Sequence, residues 1–163
     1  MTTIELRRVD SDYQMEARNA TGNTILMDGS QKIGGHEAAM RPMEVLLASM
    51  GGCSAIDVIS ILRKKRQPVD DIRIRLEGER EQGAEPSLFR KIHAHFILYG
   101  KIDEAAARQA VELSMTSTAR LPRRWRPPRP SPIVLRSSAE STQHVRRLQR
   151  ITPPGNPGDP HAG

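Results

Sequence analysis

The sequence predicts an α+β fold, and three observations carry that prediction. Several short segments alternate apolar and polar residues, the mark of half-buried strands. One long stretch, Val45 to Leu62, is apolar on nearly every side, as a buried helix is. Turn residues such as Gly22, Gly29, Pro68 and Gly100 fall between these segments. The resulting order is βββ, α, ββ, α.

Taken in order, Ile4–Val9, Tyr13–Arg18 and Asn23–Asp28 read as strands, with Thr21-Gly22-Asn23 turning the chain between the second and third. Gly29, Gly34 and Gly35 mark a flexible loop; Gly34-Gly35-His36 lacks the strand-to-helix context of a phosphate loop. Pro42 then opens a helix, as proline does at a first helical position. The helix closes on Arg63-Lys64-Lys65-Arg66, cations suited to a helix C-terminus, and Pro68 prevents continuation. In Asp71–Glu77, Ile72, Ile74 and Leu76 point one way and Arg73, Arg75 and Glu77 the other. A second strand turns Ile92, Ala94, Phe96 and Leu98 inward and Lys91, His93 and His95 outward, and ends at Gly100. Asp103 is placed to cap a last helix through Ala106, Ala110 and Leu113.

The chain has 163 residues, enough for one domain, and only 3% are aromatic. Its core must be built mainly from aliphatic side chains, and a core of that kind often needs a partner subunit. Glu44, Ser49, Asp57 and Ser60 interrupt the longest apolar run, so no membrane span is expected. The start, Met1-Thr2-Thr3-Ile4-Glu5, carries no secretory signal, and the single cysteine forms no internal disulfide. A cytoplasmic protein is the expectation.

A net charge of +6 raises the question of nucleic acid. Residues 1–116 hold 16 Lys and Arg against 17 Asp and Glu, whereas residues 117–163 hold 9 Arg against 2 acids. The basic character therefore belongs to the last part, which also holds 9 of the 12 prolines. That tail is expected to be disordered, except for a short extended piece at Ile133–Leu135. Its Arg/Pro run with Trp125 offers only weak, nonspecific RNA binding, so nucleic acid is an unfavoured partner.

Chemistry concentrates in Pro42-Met43-Glu44-Val45-Leu46-Leu47-Ala48-Ser49-Met50-Gly51-Gly52-Cys53-Ser54-Ala55-Ile56-Asp57-Val58. It places one thiol in an apolar helix directly after two glycines. If the glycines break the helix, free amides and the dipole stabilise a thiolate, which attacks a peroxide O–O bond. If they do not, a lone cysteine there is ordinarily a small hydrophobe.

This stretch resembles the central helix of the OsmC/Ohr family. Leu62-Arg63-Lys64-Lys65-Arg66-Gln67, Gly78-Glu79-Arg80, Phe89–Gly100 and Glu112-Leu113-Ser114-Met115 follow in the family's order, over roughly residues 3–116. The likeness is nearer to the branch named simply "OsmC family protein" than to the well-studied peroxidase branches. It implies antiparallel sheets around a buried central helix and an intertwined homodimer with each site at the subunit boundary. It implies reduction of organic hydroperoxides in the oxidative stress response. Cys53 is oxidised, a second cysteine resolves it, and a dithiol or lipoylated protein restores it. No cofactor or metal is implied.

Three departures qualify this. The family's glutamate after the helix-opening proline is Met43 here; Glu44, one residue later and about 100° around the helix, is the candidate in its place, or a plain first-turn acid. Arg18 is the candidate for the family's early arginine, or a solvated strand end. The resolving cysteine is missing: where the family reads Lys-Tyr-Cys-Ser, this chain reads Ser117-Thr118-Ala119-Arg120-Leu121-Pro122. Codons AGT-ACT-GCT-CGG-CTG-CCG encode that hexapeptide, and read one base earlier after an A they give Lys-Tyr-Cys-Ser-Ala-Ala. A frameshift near Thr116 is the hypothesis, so that residues 1–116 form an OsmC-like domain lacking its last helix and strand. If the other frame in the coding DNA lacks the tetrapeptide, the hypothesis fails. The alternative functions are a non-enzymatic product of a frameshifted gene, or a weak nucleic-acid binder. His93 and His95 share a strand face but find no visible further ligands, so they read as solvent-facing strand residues.

Overall fold

The alternating segments pair into two separate sheets. The computed structural model describes residues 1–83, 87–118 and 133–136. Strands β1 (Ile4–Arg8), β2 (Met15–Asn19) and β3 (Thr24–Met27) form an antiparallel meander, with Leu6 opposite Ala17 and Ala17 opposite Ile25. The predicted Thr21-Gly22-Asn23 turn forms. The Asn19 side-chain oxygen accepts the Thr21 and Asn23 amides at 3.1 and 2.9 Å, and Gly22 takes a left-handed φ of 88°. Ile4, Leu6, Ile25 and Leu26 of this sheet are exposed.

The loop after β3 is closely hydrogen-bonded rather than flexible. The buried Asp28 carboxylate accepts the amides of Gly29, His36 and Ala38 at 2.7, 3.2 and 3.0 Å. The amides of Gly35 and Glu37 return to the carbonyls of Ser30 and Gly29. Only glycine fits at position 35, where a Cβ would lie 2.3 Å from the Gly29 oxygen. The sequence reading counted the glycines and missed the carboxylate that organises them.

Helix α1 (Pro42–Lys64) starts at its proline and ends in cations, as expected; Arg66 leaves it in a left-handed conformation and the Gln67 amide closes on the Leu62 carbonyl at 2.9 Å. It is long and apolar enough to cross a bilayer, with a mean hydropathy of 1.9, so the interrupting polar residues do not exclude a span as firmly as the sequence reading held. One side of it packs into the core. Val58 and Leu62 are fully buried with Phe96 and Leu98 of the second sheet and with Ala107, Ala110 and Val111 of the second helix.

That sheet joins β4 (Asp71–Arg80) antiparallel to β5 (Phe89–Tyr99), with Ile74 opposite Phe96 and Leu76 opposite Ala94. The inward set Ile92, Ala94, Phe96 and Leu98 is buried as the alternation predicts. Helix α2 (Glu104–Thr118) begins on Asp103, whose carboxylate accepts the Ala106 amide at 2.8 Å. Strand β6 (Val134–Arg136), overlapping the extended piece expected at Ile133–Leu135, pairs with β5 in parallel, Leu98 opposite Leu135. The remainder of the tail, including the Arg123–Pro132 run and Trp125 on which RNA binding would rest, lies outside the described residues.

Candidate active site

Consecutive residues of a helix point about 100° apart, so Gly51, Gly52 and Cys53 occupy three different faces of α1. Gly51 is buried against β4; a Cβ there would come within 2.6 Å of the Leu76 Cδ1 atom. Gly52 faces open space, with nothing within 4 Å of the position of its Cβ. Cys53 is exposed.

Two sequence expectations change here. The helix runs unbroken through both glycines, so Cys53 is a mid-helix residue and not the start of a new helix with free amide donors. Nor is its thiol buried among the described residues, which cover α1 on one side only. The apolar character all around α1 includes a face that no other described residue covers: Ala48, Gly52, Cys53 and Ile56 are exposed, Ile56 at 67%. The serine hydroxyls on that face bond to the helix's own carbonyls: Ser49 donates to the Val45 carbonyl at 2.8 Å and Ser60 to the Ile56 carbonyl at 2.7 Å.

Behind Cys53 the packing is closed. Ser54 is buried, its hydroxyl 3.9 Å from the Met115 sulfur, and the Ser114 hydroxyl donates to the Ser54 carbonyl at 3.2 Å. Helix α2 therefore grips the turn that carries the thiol.

The other candidates lie apart from Cys53. Glu44 sits in the first turn of α1 and reaches back to Arg41, accepting its amide at 2.9 Å and its guanidinium at 3.0 and 2.6 Å. The Arg41 guanidinium beside it holds the Glu44 carboxyl below the usual glutamate range. Arg18 is exposed near the end of β2, flanked by Glu5, Leu6, Arg7 and Glu16. Neither Arg18 nor Glu44 hydrogen-bonds or ion-pairs with Cys53 among the described residues.

Sequence reasoning missed two features. A cleft of about 510 Å³ lies beside the start of α1, with Ile33, Met43, Leu47 and Phe89 as apolar lining and Arg41, Glu44 and Arg80 as polar lining. The β1–β2 turn also meets the glycine loop, where Asp10, Asp12 and His36 bring ligand-type atoms within 4.8 Å of one another. Their electrons are largely committed. Asp10 accepts the Asp12 and Gln14 amides at 2.9 and 3.0 Å, and His36 Nε2 pairs with Asp12 at 2.9 Å. Spacing in sequence could not have found this cluster, because His36 arrives from a separate loop. His93 and His95 are half-buried on the outer face of the β4–β5 sheet, His95 lying 3.7 Å from Glu77.

Residues 34–118 match the family model described as OsmC-like protein. Protein YhfA of Escherichia coli strain K12 is 47% identical over 97 residues, which span 59% of this chain and 69% of that protein. The crystal structure of a hypothetical protein from Aquifex aeolicus VF5 superimposes with a TM-score of 0.64 at 28% identity, covering 85% of this chain and 96% of the other. That of an organic hydroperoxide resistance protein OsmC from Legionella pneumophila superimposes with a TM-score of 0.54 at 12% identity, over 85% and 96%, a likeness of fold alone.

Proposed function

The chain belongs to the OsmC-like protein family, and on that footing we propose that it reduces organic hydroperoxides through Cys53, as one subunit of a homodimer. The observation that carries the reading is the exposure of Cys53, the only cysteine, on an apolar face of the central helix. Proteins of the same fold are described as organic hydroperoxide resistance proteins, and that description suggests the substrate class.

The thiolate of Cys53 attacks the outer peroxide oxygen. An S–O bond forms, the O–O bond breaks, and the departing alkoxide takes up a proton to leave as the alcohol. Cys53 is then a sulfenic acid. With no second cysteine in the chain, an external thiol must condense with it, releasing water and leaving a mixed disulfide. A second thiol equivalent, or the second sulfur of a dithiol such as a lipoylated protein, displaces Cys53 and completes the cycle.

Cys53 has no hydrogen-bond partner among the described residues, and the helix supplies no free amide to hold its charge. The dimer answers both needs. The exposed helix face and the exposed apolar side chains of the β1-β2-β3 sheet are two apolar surfaces left uncovered among the described residues. Arg18, on that sheet, is the cation proposed to approach Cys53 when the sheet of a second copy covers the helix.

Consumption of tert-butyl hydroperoxide with dithiothreitol as reductant tests the reading. The wild-type chain is expected to consume peroxide and Cys53→Ser to fall to the uncatalysed rate. Equal rates for the two would remove the enzymatic reading.

A further inference from the structure

We propose that the cleft beside the start of α1 binds a small monocarboxylate with an apolar tail, its charge held by Arg80 and its chain by Ile33, Met43, Leu47 and Phe89. The alternation of β4 sends Ile72, Ile74, Leu76 and Gly78 to the inward face and Asp71, Arg73, Arg75, Glu77 and Glu79 to the outward one. Arg80 continues the inward set, so the apolar face of β4 ends on a cation. It stands opposite Phe89, where the register of β4 and β5 shifts, and irregularities of that kind re-aim side chains. Gly78 keeps the wall beside it open: a Cβ there would collide with the Phe89 ring and stand 3.2 Å from the Leu47 Cδ1 atom. The cleft therefore joins an apolar lining to a guanidinium from the same sheet face.

The charges around the cleft leave Arg80 unmatched. Glu44 is paired with Arg41, Glu79 with Lys91 at 3.7 Å, and Glu81 with Arg90. The Asp28 carboxylate already accepts three amides. Arg80 meets no carboxylate among the described residues. Its Nε and Nη2 donate to the Ser87 carbonyl at 3.1 and 2.7 Å, which fixes the guanidinium and leaves its other N–H groups for an acceptor. A carboxylate is the acceptor that a guanidinium fork fits. A volume of about 510 Å³ falls within the range of small-molecule sites. Cys53 does not line this cleft, so the site stands independently of the peroxide reading.

Calorimetric titration of the full chain with octanoate, below its micelle concentration, tests the site. Octanoate is expected to bind, with octanol and acetate each weaker by about tenfold or more. Arg80→Gln is expected to weaken octanoate by about tenfold or more, and Lys91→Gln, outside the cleft, to change it by less than about twofold. Arg80→Lys keeps the charge without the paired bonds to Ser87 and is expected to stay within about fivefold of wild type, which separates a lost charge from a disturbed hairpin. Cys53→Ser is expected to bind as the wild type does, and the amide shifts on binding to centre on Gly78 and Phe89. No octanoate binding, octanol as tight as octanoate, Arg80→Lys as weak as Arg80→Gln, equal effects of Arg80→Gln and Lys91→Gln, or loss of binding in Cys53→Ser would overturn the proposal.

Discussion

Gly52 offers the sharpest test of whether a second copy covers α1. In the isolated chain nothing lies within 4 Å of the position of its Cβ. Replacing a mid-helix glycine with alanine or leucine then removes only backbone entropy from the unfolded chain, a gain of about 0.8–1.0 kcal/mol. For a chain of 163 residues that corresponds to a rise in Tm of roughly 2–4 °C. A second copy seated on Ala48, Gly52 and Ile56 reverses the sign for the larger side chain. Forcing extra methylenes into a packed contact costs about 1–3 kcal/mol, a dimer dissociation constant about 5- to 150-fold weaker. Sedimentation of the wild type, Gly52→Ala and Gly52→Leu over a range of concentrations, with thermal melts alongside, separates the cases. The dimer predicts that Gly52→Leu dissociates at concentrations where the wild type does not. A Gly52→Leu chain that sediments like the wild type at every concentration and melts higher would refute a covered helix face.

Other outcomes follow from single sites. Phe96 is fully buried at the centre of the core, and Phe96→Ala is expected to lower stability by about 3–5 kcal/mol in urea titration. The Asp28 carboxyl is held below its ordinary value of 3.8 by the Ala38 amide, against the opposing effect of burial and with help from the amides of Gly29 and His36. Its stabilisation is therefore present above pH 3.8 and lost as pH falls through the lowered value; Asp28→Asn should flatten the acid limb of the urea midpoint against pH. The His36 imidazole is raised above 6.5, chiefly by its bond to Asp12. Its contribution is full below pH 6.5 and lost as pH rises through the raised value, so the wild type should lose more stability on that rise than His36→Gln. With one equivalent each of hydroperoxide and glutathione, mass spectrometry should find a single glutathione adduct at Cys53, which excess glutathione then removes, since the chain has no second cysteine to displace it.

Much of the fold was legible because local signals and burial agreed. Ile92, Ala94, Phe96 and Leu98 alternate and are buried; Asp103 precedes a helix and caps it; Pro42 opens one and stands at its first position. The glycine loop was misread because its order comes from Asp28, a residue the sequence pattern had assigned to the end of a strand. Cys53 is singled out by its motif, while its exposure was not legible there. An all-round apolar helix reports the sum of the surfaces that will cover it, and cannot say which belong to its own chain. Glu44 was read as either a site residue or a first-turn acid; it pairs with Arg41 at the mouth of the cleft beside the start of α1, an arrangement that spacing in sequence did not announce.

Gly51-Gly52-Cys53 brings these strands of reasoning to one turn of helix. Gly51 has its cause inside the chain: Leu76 of β4 comes so close that a Cβ would stand 2.6 Å from it. Gly52 has none there, and a glycine in the middle of a helix costs about 1 kcal/mol relative to alanine. A cost carried beside an exposed thiol, with no compensating contact among the described residues, is one that a close approach from a second subunit or a substrate would explain. The two things that reach this surface in the proposed cycle are the second subunit and the peroxide, and a missing Cβ beside Cys53 leaves room for either. Activity separates them. If Gly52→Ala keeps the dimer intact but raises KM for bulky hydroperoxides more than for hydrogen peroxide, the glycine serves the substrate; if it weakens the dimer and leaves KM ratios unchanged, it serves the interface.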